Sequence, residues 1–356
     1  MNAGARHTSV EVQVEGHEPL REGACRVVAE GGVNHNNSIE RAIEMCRRAA
    51  QAGAWAVKFQ LYKADEIAVR DSPKYWSDEI GTDSQYEAFQ LSDHLDYSAY
   101  AEVAAACREF GIVFFATPFD FRAVEALEEI GAPLYKIASA DITDRPLLEA
   151  VAKTGKPLLL STGAATLEEI RRAIEWTGHG PDRLVPLVCT LTYPTPDEDA
   201  DFARLETFRR EFAPYLCGVS DHTLGPGGAW MTAALGGVCI EKHYTLDKRL
   251  GEAPDHAISV DPTELAEMVR ACKRASVLRG RSWIGVRESE RPARANARRS
   301  IVLVRAVAAG QELQREDLGF RRPGTGIPPF EVDRMIGRRA SRDLVEGTVL
   351  SESDIE

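Results

Sequence analysis

The chain has 356 residues, 44% hydrophobic and 28% charged, an ordinary globular composition that excludes disorder, collagen and low complexity as overall descriptions. Its 43 basic and 55 acidic residues leave a formal charge of −12, a poor general match for nucleic acid or anionic lipid. Any anionic substrate must therefore meet a local basic pocket. No apolar run approaches the ~20 residues of a membrane span. The first twenty residues lack an apolar signal core, which predicts a cytoplasmic protein. The seven cysteines form no CxxC pair and sit mostly inside apolar runs, so they read as reduced core residues.

Residues 1–23 form an N-terminal extension without a recognisable pattern. Short β-rich apolar runs then recur: CRVVAE (25–30), WAVKFQ (55–60), IVFFAT (112–117), LYKIAS (134–139), PLLLST (157–162), LVPLVC (184–189), LCGVSD (216–221) and VCIEKHY (238–244). Near-continuous apolar strands fit a parallel sheet buried on both faces. Amphipathic helices separate them. The first, SIERAIEMCRRAAQAG, opens on a capping Ser38 and closes at Gly53. Eight strands with crossovers over about 280 residues predict an α/β (β/α)8 TIM barrel. An open doubly wound sheet is the alternative, but no GxGxxG follows any strand. The connection from Leu61 to Gly111 is long enough to be a lid or an interface.

The barrel is placed at 24–285. Residues 286–300 are rich in Arg and Ala and read as a linker, with an exposed helix as the other possibility. Residues 301–356 hold short apolar runs among Gly and Pro turns, the pattern of a small β-rich module near the lower limit of independent stability.

Barrel chemistry sits at the carboxyl ends of the strands. Polar residues end every run: Glu30, then Asn34 and His35; Lys58 and Gln60; Thr117 and Asp120; Lys136 and Ser139; Ser161 and Thr162; Thr190, Thr192 and Tyr193; Ser220, Asp221 and His222; Glu241, Lys242 and His243. That concentration points to an enzyme. Lys58 and Lys136 interrupt apolar strands, where a buried ammonium is costly unless paired. With Ser139, Ser161 and Ser220 they make a cradle for a phosphate or carboxylate. They could instead be structural ion pairs with Glu30 or Glu241, and Lys136 could be a Schiff-base lysine. His222 and His243 end neighbouring strands, where two imidazoles can share one divalent ion; one general base and one structural histidine is the alternative. His35 and His256 are weaker candidates, His35 as a loop support, and His94 and His179 read as surface residues.

The ordered set VAEGGVNHN, AVKFQLYKADE, ATPFD, YKIAS, LLSTGAATLEEI, CTLTYPTP, GVSDHTLG, IEKHYTLDK and APDHAIS resembles the sialic acid synthase family over roughly residues 24–356. The tail resembles that family's C-terminal antifreeze-like (SAF) domain. The resemblance implies condensation of phosphoenolpyruvate (PEP) with an N-acylated amino-sugar aldehyde such as N-acetylmannosamine. The product would be a nonulosonic acid of the sialic, legionaminic or pseudaminic type. It implies His222 and His243 as ligands of Mn2+, or of Mg2+ or Co2+. It implies Lys58, Lys136, Ser139, Ser161 and Ser220 around PEP, and Glu30, Gln60, Tyr193 and Asp255 at the sugar, with Glu30 and Asp255 among the catalytic groups. Arg322 of the RPG turn resembles an arginine that enters a neighbouring subunit's site, which implies a homodimer with exchanged C-terminal domains. Leu191 departs from the family, which often has Asn there, and Asn37 stands where Gly is usual. A pyruvate aldolase using Lys136, or a non-catalytic carbohydrate- or ice-binding protein, are the competing readings.

Overall fold

The protein is described by a computed structural model for residues 10–76, 81–250 and 254–356. Two short strands come first, β1 (Glu11–Val12) and β2 (Leu20–Arg21), paired antiparallel. Eight parallel strands follow: β3 (Arg26–Gly32), β4 (Ala56–Leu61), β5 (Val113–Pro118), β6 (Tyr135–Ile137), β7 (Leu158–Ser161), β8 (Leu184–Cys189), β9 (Gly218–Asp221) and β10 (Cys239–His243). They close in sequence order, with β10 returning to β3, so the expected TIM barrel is the observed one.

The alternation of side chains along each strand builds two different cores. Outward positions such as Val27, Val57, Phe114, Tyr135, Leu160 and Ile240 pack under the surrounding helices. Inward positions at the amino ends of the strands are apolar: Val28, Ala56, Phe115, Leu159, Leu187 and Cys239 fill the lower barrel. Residues 10–23 close this end, for Val12, Val14 and Leu20 belong to the same inner cluster. Several helices open on side-chain caps. Thr166 and Asp261 open Leu167–Thr177 and Pro262–Arg279 with reciprocal capping boxes, each worth about 1 kcal/mol.

The chain divides into two compact units, Met1–Gly280 and Arg281–Glu356. In the second, the stretch read as a linker carries an exposed helix, Arg291–Ala297. The antiparallel strands β11 (Ser300–Leu303) and β12 (Leu318–Arg321) follow. Ile301, Leu303, Leu313, Leu318 and Leu350 form its core. Asp317, fully buried, accepts from the Gln314 N–H at 2.7 Å and pairs with Arg305. This is the small β-rich module expected. Among the described residues no helix is long and apolar enough to cross a membrane.

Candidate active site

The inward face that is apolar at the bottom of the barrel turns polar at the top. Continuing in steps of two, Val28 leads to Glu30, Ala56 to Lys58 and Gln60, and Phe115 to Thr117. Leu134 leads likewise to Lys136, Leu159 to Ser161, Leu187 to Cys189, and Cys239 to Glu241 and His243. Register places His243 beside Glu30, Glu30 beside Lys58, and Ser220 beside Glu241. The same parity removes two strand-end residues from the site. Lys242 and Asp221 face outward and form a buried pair at 2.9 Å beneath the helices.

Both lysines are ion-paired, so the structural and the ligand-binding readings of them meet in one network. Lys58 Nζ lies 2.8 Å from Glu30 Oε2 and 3.7 Å from Glu241 Oε1, and donates to Thr117 Oγ1 at 2.8 Å. Lys136 Nζ lies 3.7 Å from the same Glu241 oxygen and donates to the Ile137 carbonyl at 3.2 Å. Burial favours a neutral Lys58, but Glu241 and Glu30 outweigh it and hold its pKa above the ordinary value. At Lys136 burial wins, and the pKa falls below that of an ordinary lysine. Burial pushes Glu241 up, yet Lys136, Lys58 and His222 overcome it and keep the carboxylate charged. Burial raises Glu30 to about 7 against the opposing Lys58. Gln60 Nε2 donates to Glu30 Oε1 at 3.1 Å, and Ser220 Oγ to Glu241 Oε1 at 3.4 Å. Ser139 Oγ accepts from the Gly163 N–H at 2.8 Å. Ser161 Oγ is buried with no hydrogen-bond partner among the described residues.

His222 and His243 have ring centroids 5.4 Å apart. That separation lets one ion reach a nitrogen of each ring at about 2.0–2.1 Å. His222 Nδ1 lies 2.9 Å from the Thr190 carbonyl, which orients the ring and leaves Nε2 for a ligand. His243 Nδ1 is buried without a hydrogen bond among the described residues and lies 3.4 Å from Asp255 Oδ2. Burial, then His222 and Lys58, hold the His243 pKa well below its ordinary value, so the ring is neutral as a metal ligand must be. No group of three or more His, Cys, Asp or Glu converges as a metal cage among the described residues. The donor set fits an ion held by two imidazoles, with the remaining positions open to substrate oxygens. Tyr193 packs over His222 at 4.2 Å between centroids. Burial raises the Asp255 carboxyl to about 6, with His222 and Lys58 opposing.

A cavity of about 870 Å³ opens over this centre, lined by Gln60, Ser139, Tyr193, His243 and Asp255 on the barrel side. The long connection after β4 supplies Tyr75, Trp76 and Phe89 to its wall. Trp76 and Phe89 pack at 5.9 Å between centroids. Arg322 belongs to the second unit, where it is exposed directly after β12. His35 supports its loop, with Nε2 2.9 Å from the Tyr100 hydroxyl. His256 is likewise tied, to Thr245 Oγ1 at 2.8 Å. His179 is buried rather than on the surface, because its ring bonds the Lys156 carbonyl at 3.0 Å. Cys189 is buried and free like the other six cysteines, but lies in the site, its Sγ 3.8 Å from His222 Nδ1. The sequence offers Glu241 only as a pairing option and assigns no task to Thr117, Asp141, Cys189 or Tyr75. Counting inward positions by twos would have found the strand residues among them.

Residues 45–283 match the NeuB family, and residues 298–356 match the SAF domain. The chain belongs to the NeuB family. This NeuB-family chain is 37% identical over 343 residues to the N,N'-diacetyllegionaminic acid synthase of Legionella pneumophila, covering 93% of this chain and 95% of that one. It is 31% identical to the pseudaminic acid synthase of Campylobacter jejuni (serotype O:2), covering 93% and 96%. The N-acetylneuraminic acid (sialic acid) synthetase of Leptospira borgpetersenii superposes with a TM-score of 0.72 at 30% identity, over 81% of this chain and 96% of that one.

Proposed function

We propose that this NeuB-family chain condenses PEP with an N-acylated amino-sugar aldehyde, giving a nine-carbon 2-keto acid and phosphate. The observation that carries the reading is the pair of buried ammonium groups that share Glu241, with the unpartnered Ser161 hydroxyl and the two imidazoles on the same inward face. A bound anion would satisfy Ser161 and complete the pairing of Lys136. The names of the legionaminic, pseudaminic and sialic acid synthases among its relatives support the same chemistry.

Lys58, Lys136, Ser139, Ser161 and Ser220 would hold PEP with its methylene carbon toward the acceptor. Such positioning contributes on the order of 7–11 kcal/mol in well-oriented systems. A divalent ion on His222 and His243, Mn2+ ahead of Mg2+ or Co2+, would polarise the acceptor's aldehyde oxygen. Glu30, Gln60, Tyr193 and Asp255 would orient the sugar, and the Tyr193 ring would limit water on the imidazole side. Carbon–carbon bond formation at PEP C3 leaves C2 to take up water, and the resulting tetrahedral centre expels phosphate. We further propose a cytoplasmic homodimer in which Arg322 completes the partner's site. The acceptor would be of the sialic, legionaminic or pseudaminic series.

The depressed Lys136 pKa also suits a Schiff-base aldolase. That enzyme would be trapped on Lys136 by borohydride with pyruvate and would need no metal. The condensation reading predicts that label from [2-13C]PEP enters a nine-carbon acid. Label recovered only in pyruvate refutes it. A non-catalytic sugar- or ice-binding role leaves the charged floor of the cavity without a purpose.

A further inference from the structure

Asp141 has no task in the condensation as described, and its surroundings are not those of a structural carboxylate. It closes the 3-10 turn Ser139–Asp141 after β6, two residues beyond Ser139, and both residues line the cavity. Its backbone is fully engaged: the N–H donates to the Ala138 carbonyl at 3.1 Å, and its carbonyl accepts from the Asp144 N–H at 2.9 Å. Its side chain is not. Oδ2 is enclosed and meets no hydrogen-bond partner among the described residues. Helix capping is not its role, because Asp144 caps the next helix by accepting from the Leu147 N–H at 3.1 Å. An enclosed polar atom left unmatched costs on the order of 1–3 kcal/mol. A ligand atom in the cavity would remove that cost.

We propose that Asp141 is a catalytic residue, the acid that protonates the departing phosphate. The inference rests on the condensation reading and deepens it. Lys136 on β6 is the cation that acts on Asp141, and Asp144 is its like-charged neighbour. The Tyr75 hydroxyl feels the fields of both Asp141 and Asp255. Asp141 shares its turn and the cavity wall with Ser139, which places it at the end where phosphate would be held. Burial first, then Asp144, keep its carboxyl protonated up to about 7, with Lys136 opposing. In the tetrahedral intermediate C2 carries a hydroxyl and the phosphate ester oxygen. The C2–O bond to phosphate breaks, its electron pair stays on the phosphate oxygen, and the Asp141 proton moves there. The electron pair of the C2 hydroxyl's O–H bond becomes the second bond of the 2-oxo group, and that proton returns to Asp141.

The test is rapid-quench and steady-state kinetics on the full chain carrying Asp141→Asn or Asp141→Glu. Asp141→Asn should lower kcat for phosphate release by about 100-fold or more, with KM for PEP changed by less than about threefold. Quenched samples should show acceptor consumed ahead of phosphate released. In the parent, kcat should fall as pH rises through about 7, because the donor must be protonated, and the Asn variant should lack that limb. Asp141→Glu should recover part of the rate. Asp141→Asn with kcat within about threefold of the parent, or a loss confined to KM, overturns the assignment. Should that variant not fold, Asp141→Glu decides: a displaced alkaline limb supports the assignment, and an unmoved one overturns it. A parent that releases no phosphate from PEP with any amino-sugar aldehyde refutes the condensation reading, and this inference with it.

Discussion

Replacing Glu241 by Gln removes the carboxylate that Lys58 and Lys136 share at 3.7 Å each. Lys58 retains Glu30 at 2.8 Å, but among the described residues Lys136 retains only the Ile137 carbonyl at 3.2 Å. The two ammonium groups are 2% and 3% exposed, so water does not replace the lost partner. Removing one member of a buried ion pair costs about 3–5 kcal/mol. In a domain of this size that lowers the unfolding midpoint by roughly 10 °C. The network also makes a second, less generic prediction. An anion in the cavity should substitute for the missing carboxylate, so inorganic phosphate should raise the midpoint of Glu241→Gln more than that of the parent. Thermal unfolding followed by circular dichroism, with and without phosphate, reads both effects. A variant that unfolds within about 1 kcal/mol of the parent would refute the shared-carboxylate argument. So would one that gains no more from phosphate than the parent does.

His222→Ala and His243→Ala should each abolish stoichiometric Mn2+ binding, measured by elemental analysis after desalting; full retention in both variants excludes the two-imidazole site. His35 gives a clean pH dependence. Burial, with Arg41 assisting, lowers its pKa from 6.5 to about 4. The folded state therefore favours the neutral ring. That contribution is complete above pH 6.5 and is lost as pH falls toward 4. At 1.36 kcal/mol per unit it amounts to about 3 kcal/mol. Urea titrations of the parent and His35→Gln across that range should converge as pH falls, and parallel curves would contradict it. Gly218→Ala should destabilise the barrel by about 1–3 kcal/mol. Its Cβ would meet the Cys239 carbonyl oxygen at 2.7 Å and Leu187 Cδ2 at 2.8 Å, and the backbone atom cannot swing aside. An unchanged urea midpoint would show that the strands yield.

The barrel was legible because each strand is a short apolar run with a polar end. LVPLVC (184–189) is β8 residue for residue, and VCIEKHY (238–244) exceeds β10 by one residue at each end. The bottom closure is hard to see in the sequence, although Val10, Val12 and Val14 alternate with polar residues in SVEVQVEG. Two-residue strands leave too little pattern, and the residues they pack against at the foot of the barrel are spread along the chain as far as Cys239. At the site, sequence located the strand ends but not the direction each side chain takes. Lys242 and His243 look equivalent in EKHY, yet only His243 faces the cavity, while Lys242 lies behind the wall against Asp221. The weight of Glu241 is hidden in the sequence for a related reason: it comes from Lys58 and Lys136, which only closure of the sheet brings to it. Asp141 carried no local signal, because an unmatched oxygen is visible only once the surrounding groups are in place.

Phosphate release from PEP across a panel of 2-acylamino sugar aldehydes, with chelator and then with added Mn2+, tests the central claim most directly. The account predicts release that requires an acceptor, matches the 2-keto acid formed one for one, stops in chelator and returns with the ion. PEP left intact with every acceptor, or phosphate released equally without one, would contradict it.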